Sequence, residues 1–141
     1  MSALGLRIID ESVQTANAWI NEVNDRTGWE HKQRAYRLLR AVLHTIRDHL
    51  SVDEVAQLAA QLPTLIRGIY YEGWNPSKTP SKIRKADAFI EEVQKAFETD
   101  PMADAAESIA AVIATLREHV SPGEMEDVEG NFTDDIREIF G

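Results

Sequence analysis

The sequence predicts an all-α protein, a compact helical bundle made of two tandem repeats related by a pseudo-twofold axis. Two observations support this prediction. The chain aligns with itself without a gap at an offset of 70 residues, as Ala41 against Ala111 and Ser51 against Ser121 show. Apolar residues recur at three- and four-residue steps, and neither strand-like alternation nor a short hairpin turn is present.

The repeat is clearest between residues 41–70 and 111–140, where ten of the 30 aligned pairs are identical. Its period exceeds that of open solenoids, so we expect the two units to close on each other. A unit of this size is marginal alone, which favours one shared core. We therefore expect a single domain over residues 1–141, with repeat one at 1–74, a linker at 75–80 and repeat two at 81–141.

Eight helices are expected from the pattern. The second contains the clearest apolar stripe, formed by Ala35, Leu38, Leu39, Val42, Leu43, Ile46 and Leu50. In the first and fifth helices, Trp19 to Val23 aligns with Phe89 to Val93. The expected ranges are 5–24, 28–49, 52–61 and 64–72 in repeat one, and 81–97, 101–119, 122–129 and 134–140 in repeat two.

Capping signals set these boundaries. Three capping boxes place a hydroxyl three residues before a carboxylate: Thr27 with Glu30, Ser51 with Glu54, and Ser121 with Glu124. Asp100 followed by Pro101 predicts an N-cap. Pro63 is expected to divide the last part of repeat one into two short helices, and Asn131 to Thr133 to do the same in repeat two.

Composition excludes several classes of protein. With 43% hydrophobic and 28% charged residues and no long apolar run, the chain is expected to be globular and not to span a membrane. The absence of cysteine excludes disulfides, zinc fingers and thiol nucleophiles. The start of the sequence lacks the order of a secretory signal, which favours a cytoplasmic location.

Charge is spread unevenly along this acidic chain. The net charge of −9 argues against nucleic-acid binding, which requires an excess of Lys and Arg. Residues 1–85 hold 12 basic and 9 acidic side chains, whereas residues 86–141 hold 3 and 15. This asymmetry favours an electrostatic partner or head-to-tail self-association into a homo-oligomer.

A longer segment carries a family resemblance. The run from Ala59 to Trp74, following Ala41 to Leu50, resembles a bacterial family catalogued as domain of unknown function 2267. Its most specific part is Tyr70-Tyr-Glu-Gly-Trp74, and the resemblance covers almost the whole chain. It implies a small helical bacterial protein, and no activity, cofactor or catalytic residue carries over from it.

No constellation for catalysis is visible. There is no phosphate-binding glycine loop, no nucleophile elbow and, before any of the four histidines, no Glu-x-x-His ligand pair. The sequence therefore predicts no catalytic residue, metal site or cofactor, and favours a protein that is not an enzyme.

The repeat separates shared residues from residues that one copy has alone. The pairs Arg47/Arg117, His49/His119, Glu54/Glu124 and Arg67/Arg137 are shared and are expected to serve the fold. The glutamates are interpreted as capping-box acids, and the histidines as cations favoured at helix C-termini. The alternative for the histidines is a symmetric pair of proton-transfer or metal sites.

One copy alone carries a basic stripe on its second helix, opposite the apolar face, formed by Arg34, Arg37, Arg40, His44 and Arg47. One interpretation is a solvated face, paired with the acidic second half across the bundle. The other is a docking surface for an anionic ligand or an acidic peptide.

The Tyr70-to-Trp74 segment is the second feature of repeat one. Gly73 is expected in the left-handed conformation of a Schellman cap that brings Trp74 to Ile69. Tyr70 aligns with Phe140 and is expected in the core. Tyr71 and Trp74 have no apolar counterpart, so they serve either as a cap or as an exposed binding hot spot.

Two functions remain open from the sequence. The first is a non-enzymatic module that binds a protein through the basic stripe, the Tyr71/Trp74 corner, or both. The alternative is a small-ligand or anion-binding site between the repeats, possible also as an enzymatic site in which His44 or Tyr71 works with Asp48, Glu72 and Arg67. The binding candidates are Arg34, Arg37, Arg40, His44, Tyr71 and Trp74.

Overall fold

The computed structural model describes residues 5–141, and it confirms the all-α prediction. No strand is present within this range. None of the described helices combines the length and the apolar character that crossing a membrane requires. The helices are α1 (Arg7–Thr27), α2 (Lys32–His49), α3 (Val52–Ala59), α4 (Thr64–Tyr71), α5 (Ala86–Gln94), α6 (Ala105–His119), α7 (Pro122–Glu129) and α8 (Asp134–Phe140).

One hydrophobic core draws on both halves of the chain. Trp19 and Tyr70 from the first half and Phe89 and Phe140 from the second are among its largest side chains. Helix α2 lies at the centre, in contact with α1, α4, α5 and α6. Its predicted apolar stripe is buried as expected, and each such leucine contributes about 1.5–3 kcal/mol to stability by leaving water.

The turn between α1 and α2 differs from the prediction. Thr27 is the last residue of α1, and Gly28 follows it in the left-handed conformation, with φ of 69°. The Thr27 hydroxyl donates to the carbonyl of Asn24, so it does not cap α2. The N-cap of α2 is His31, whose Nδ1 accepts a hydrogen bond from the backbone N–H of Arg34 at 3.2 Å.

The fifth and sixth helices begin later than predicted. The carboxylate of Asp100, the predicted N-cap, is bound by Arg34 of α2, and α6 begins at Ala105 behind Asp104, whose side chain accepts from the backbone N–H of Glu107 at 3.0 Å. Helix α5 begins at Ala86, where the backbone N–H donates to the Asp135 carboxylate of α8 at 2.7 Å. A distant side chain therefore binds the first amide of α5, and another binds the residue that was expected to cap α6.

In two predicted capping boxes, the hydrogen bond accepted by the serine hydroxyl is confirmed, whereas the predicted bond from the serine N–H to the glutamate carboxylate is wrong. Ser51 Oγ accepts from the backbone N–H three residues later, and Ser121 Oγ does the same. The backbone N–H of each serine is bound by an amide oxygen from the other half of the chain. Ser121 donates to Gln61 at 2.8 Å, and Ser51 donates to Asn131 at 3.5 Å.

Proline and glycine act locally at the ends of α4. Pro63 precedes α4 and separates it from α3, as predicted. Helix α4 ends at Tyr71, and the backbone N–H of Trp74 donates to the Tyr71 carbonyl at 3.1 Å. With Gly73 at φ of 73°, this is a type II turn in place of the predicted Schellman cap.

Arg47 joins α2 to the end of α4. It is 4% exposed, and its Nη1 donates to the carbonyls of Tyr70 and Glu72, each at 2.8 Å. At an offset of 70 residues, Arg117 Nη1 donates to the carbonyl of Phe140 at 3.2 Å. Arg47 therefore does not belong to a solvated stripe. The tandem duplication and the single domain stay predictions from the sequence.

We expect Arg47→Met to lower the free energy of unfolding by about 3 kcal/mol, since it leaves two carbonyls at the end of α4 without their donor. Arg117→Met removes the matching contact at a more exposed position, and we expect about 1 kcal/mol. Urea denaturation monitored by circular dichroism measures both. Equal losses in the two variants would contradict the role assigned to Arg47.

Candidate functional site

A cleft of about 990 Å³ lies between α2, the connecting segment 75–83 and the end of α5. It lies where the two predicted repeats meet, since α2 belongs to the first and α5 to the second. Its walls include Arg40 and His44 from α2, Lys82 from the connecting segment, and Lys95 after α5. This cleft is the candidate functional site.

The connecting segment is held in place by local hydrogen bonds. A short 3-10 turn covers Pro76–Lys78, and the Asn75 side chain accepts from both the backbone N–H and the hydroxyl of Ser77. The backbone N–H of Ser81 donates to the carbonyl of Asp48 in α2. Because of this bond, the segment runs beside the C-terminal half of α2 and forms one wall of the cleft.

The cleft carries more positive than negative charge. Its basic side chains are Arg37, Arg40, Lys78, Lys82 and Lys95, and its carboxylates are Asp48 and Glu92. Arg37 lies 3.8 Å from Asp100, Arg40 lies 3.4 Å from Glu72, and Lys95 lies 2.8 Å from Glu92. Exposed ion pairs of this kind contribute at most about 1 kcal/mol. A bound anion can therefore replace the carboxylate partner of either arginine.

His44 lies half-buried in the wall of the cleft. Its Nε2 is 2.7 Å from the carbonyl of Ile69, and because a carbonyl only accepts, Nε2 carries the proton. Burial lowers the pKa of His44 from its ordinary value of 6.5, and the nearby charges of Arg47 and Arg40 lower it further. His44 is therefore neutral at pH 7, with Nδ1 as an acceptor.

His49 borders the same cleft from a buried position. It is 6% exposed, and its Nδ1 donates to the carbonyl of Thr45 at 2.7 Å. Phe89 and Phe132 lie against its ring, and burial lowers its pKa. Its Nε2 has no partner among residues 5–141. The expected role as a cation at a helix C-terminus is thus wrong for His49.

The structure separates the members of the predicted basic stripe. Arg37, Arg40 and His44 line the cleft, whereas Arg34 points to the opposite end of α2. Its guanidinium donates to Asp100 Oδ2 at 2.8 Å and lies 4.2 Å from the ring centroid of Trp29. Arg34 is therefore a structural contact with the second half of the chain and does not border the cleft.

The Tyr71/Trp74 corner lies outside the cleft, and its predicted binding role stays a prediction. Both side chains are half-buried and pack against the core, with ring centroids 5.7 Å apart. The core position expected for Tyr70 is confirmed, since it is fully buried and its hydroxyl donates to the carbonyl of Val55 at 3.0 Å. Neither Tyr71 nor Trp74 borders the cleft.

The alternative acid–base set is also divided. His44 and Asp48 both border the cleft, whereas Tyr71, Glu72 and Arg67 do not. The Arg67 guanidinium instead donates to the carbonyls of Ala59 and Leu62, each at 2.8 Å. The predicted group of five is therefore not assembled at one place.

The lysines of the cleft were not predicted as site residues, because residues 75–80 were expected to be only a linker between the repeats. Residues 75–85 hold four basic side chains and no acidic one, which is a signal that could have been used. Lys95 gives no such signal, because it lies among glutamates and reaches the cleft only through the fold.

A known protein family matches a range of the chain that includes both walls of the cleft. A family described as "Uncharacterized conserved protein (DUF2267)" matches residues 16–139. The chain belongs to this family. All residues that line the cleft fall inside the range that the family shares with this chain. A search of curated proteins finds no significant match.

We expect the imidazole of His44 to carry its proton on Nε2 and to titrate below its ordinary value of 6.5, because burial disfavours the charged ring. Long-range ¹H–¹⁵N correlation spectra recorded against pH measure both properties. His49, which burial also affects, should titrate low as well, with the proton on Nδ1. A His44 midpoint above 6.5 would contradict the buried position assigned to it.

Proposed function

We propose that the protein binds a small anionic ligand, carrying phosphate, sulfate or carboxylate groups, in the cleft between α2, the connecting segment and α5. The observation that carries this proposal is the convergence of five basic side chains on one cleft in a chain of net charge −9. A cleft lined by several side chains of one charge attracts ligands of the opposite charge.

The donors around the cleft suit such a ligand. Arg37 and Arg40 present planar guanidinium groups that can bind an oxyanion through two parallel hydrogen bonds. Lys78 and Lys82 supply point charges from the opposite wall, and neither forms an ion pair within the described part of the chain. The hydroxyls of Thr79 and Ser81 lie beside them.

The protein-interaction hypothesis keeps part of its support. Arg37 and Arg40 remain accessible, and an acidic protein segment could occupy the same basic cleft. The half-buried corner formed by Tyr71 and Trp74 lies outside the cleft and stays a separate prediction. We therefore favour a small anion. A cytoplasmic location and a homo-oligomer stay predictions.

An enzymatic role is not part of the proposal. His44 and Asp48 border the cleft, but Tyr71, Glu72 and Arg67, the side chains expected to assist them, do not line it. The side chains that line the cleft therefore support ligand binding better than acid–base catalysis.

Charge reversal tests the proposal. We expect Arg37→Glu/Arg40→Glu to weaken the binding of sulfate and pyrophosphate at least tenfold, a loss of about 1.4 kcal/mol, because two donors become repulsive. Isothermal titration calorimetry measures the affinity. The matched control is Arg7→Glu/Arg26→Glu on α1, which changes the net charge equally, away from the cleft. Equal losses in both double variants, or no binding to the wild type, would overturn the proposal.

The affinity for sulfate should rise as the pH falls below 6.5, because His44, whose pKa burial lowers from that value, then gains a positive charge beside Arg37 and Arg40. Sulfate keeps its own charge over this range. Asp48, Glu92, His49 and the three lysines also border the cleft. They are unchanged in His44→Gln, so the difference between wild type and variant isolates His44. If His44→Gln shows the same pH dependence as the wild type, His44 does not contribute to it.

A further inference from the structure

A second group of charged residues lies where α3 packs against α7, outside the cleft. Glu54 is in the first turn of α3, Glu124 is in the first turn of α7, and Asp127 follows on α7. One carboxylate oxygen from each of the three lies within 4.8 Å of the other two. The two glutamates are 7% and 8% exposed, whereas Asp127 is exposed.

The glutamates face each other because their expected partners are bound elsewhere. In a capping box each carboxylate would accept from the backbone N–H of Ser51 or Ser121. Those N–H groups donate instead to Asn131 and Gln61. The Oε2 atoms of both glutamates are buried and have no hydrogen-bond partner among residues 5–141.

No basic side chain neutralises this group. Within the described chain, no lysine, arginine or histidine forms an ion pair with Glu54, Glu124 or Asp127. Burial, together with the neighbouring carboxyls of Glu124 and Asp127, raises the pKa of Glu54 to about 7. Buried, unpaired carboxylates are costly unless a proton or a cation accompanies them.

The geometry points to a cation. We propose that Glu54, Glu124 and Asp127 form a binding site for a hard divalent cation, with Ca²⁺ as the preferred ion, that links α3 to α7. Carboxylate oxygens are the ligands that Ca²⁺ and Mg²⁺ prefer. Ca²⁺ binds oxygen at about 2.3–2.6 Å and accepts irregular geometry, so oxygens on opposite sides of the ion lie about 5 Å apart. One oxygen from each of the three carboxylates lies within 4.8 Å of the other two, which is inside this span.

Access and coordination number also fit this ion. The exposed Asp127 gives a cation a path from solvent to the two buried glutamates. Three carboxylates binding through both oxygens supply up to six ligands, and water can complete the shell on the exposed side. This cluster was not predicted from the sequence, because its two glutamates were interpreted as the acids of separate helix caps in separate repeats.

The test compares the metal-free protein with the protein in the presence of CaCl₂ or MgCl₂ at about pH 8. We expect saturable calcium binding by calorimetry, and a rise of roughly 5 °C in Tm at about a hundredfold excess over the dissociation constant. Glu124→Gln should weaken calcium binding at least tenfold. The matched control, Glu126→Gln, removes one exposed carboxylate from the same helix and should bind as the wild type does.

The outcomes separate a cation site from a shared proton. If neither ion binds the wild type, or if Glu124→Gln and Glu126→Gln lose affinity equally, the proposal is overturned. In that case the two glutamates share a proton only. If Mg²⁺ binds and Ca²⁺ does not, the preference for calcium is wrong.

A second measurement uses only the wild-type protein, so it does not require that a variant fold correctly. Paramagnetic Mn²⁺ added to the wild type should broaden the amide signals of residues 52–59 and 122–129 first. Broadening confined to other acidic surfaces would overturn the proposal. The cleft contains none of Glu54, Glu124 and Asp127. The anion-binding proposal can therefore be wrong while the cation site is right, and the reverse.

Discussion

Burial of the apolar stripe of α2 is the constraint on which the rest of the structure depends. Four other helices pack around it, and Leu38, Val42 and Leu43 are fully buried. This arrangement leaves the polar face of α2 with different surroundings along its length. Arg34 contacts Trp29 near the start, Arg47 is buried at the end of α4, and the side chains between them border the cleft. One continuous stripe in the sequence thus serves three purposes.

The uneven charge of the chain is only partly neutralised within the fold. The ion pairs that join residues 1–85 to residues 86–141 are Arg34 and Arg37 with Asp100, and His119 with Glu22. The remaining ion pairs in the described chain are formed within one half. A basic cleft therefore persists on an acidic protein. Electrostatic attraction of ligands acts through such local concentrations of charge, and the net charge does not prevent it.

Equivalent residues of the predicted repeat have different surroundings. His49 is buried beside Phe89 and Phe132, whereas its counterpart His119 stacks on Trp19 at the surface. Glu54 and Glu124 instead converge, because α3 and α7 pack against each other. Near the predicted axis, two copies of one side chain can lie together and form a single site. A residue that both repeats share can therefore still be a site residue there.

Local interactions account for what could be predicted about the fold. The apolar period of α2, the serine caps of α3 and α7, and Pro63 before α4 each involve neighbouring residues, and the predicted bounds of these helices agree with the structure to within a few residues. Helix α2 itself begins later, at Lys32, because Thr27 completes α1. Arg37, Arg40 and His44 were found for the same reason, since their spacing places them on one helix face.

The remaining helix boundaries and site residues depend on which distant groups form hydrogen bonds with each other. Asp100 binds Arg34 across 66 residues, and Asp135 binds the first amide of α5 across 49, so neither aspartate's partner could be inferred from its neighbours. The lysines of the cleft and the opposed glutamates depend in the same way on how the connecting segment and α7 are packed. A sequence specifies which hydrogen-bonding groups a helix end requires, but several side chains can satisfy them. Only the tertiary contacts determine which one does, and which charged groups are thereby left to form a site.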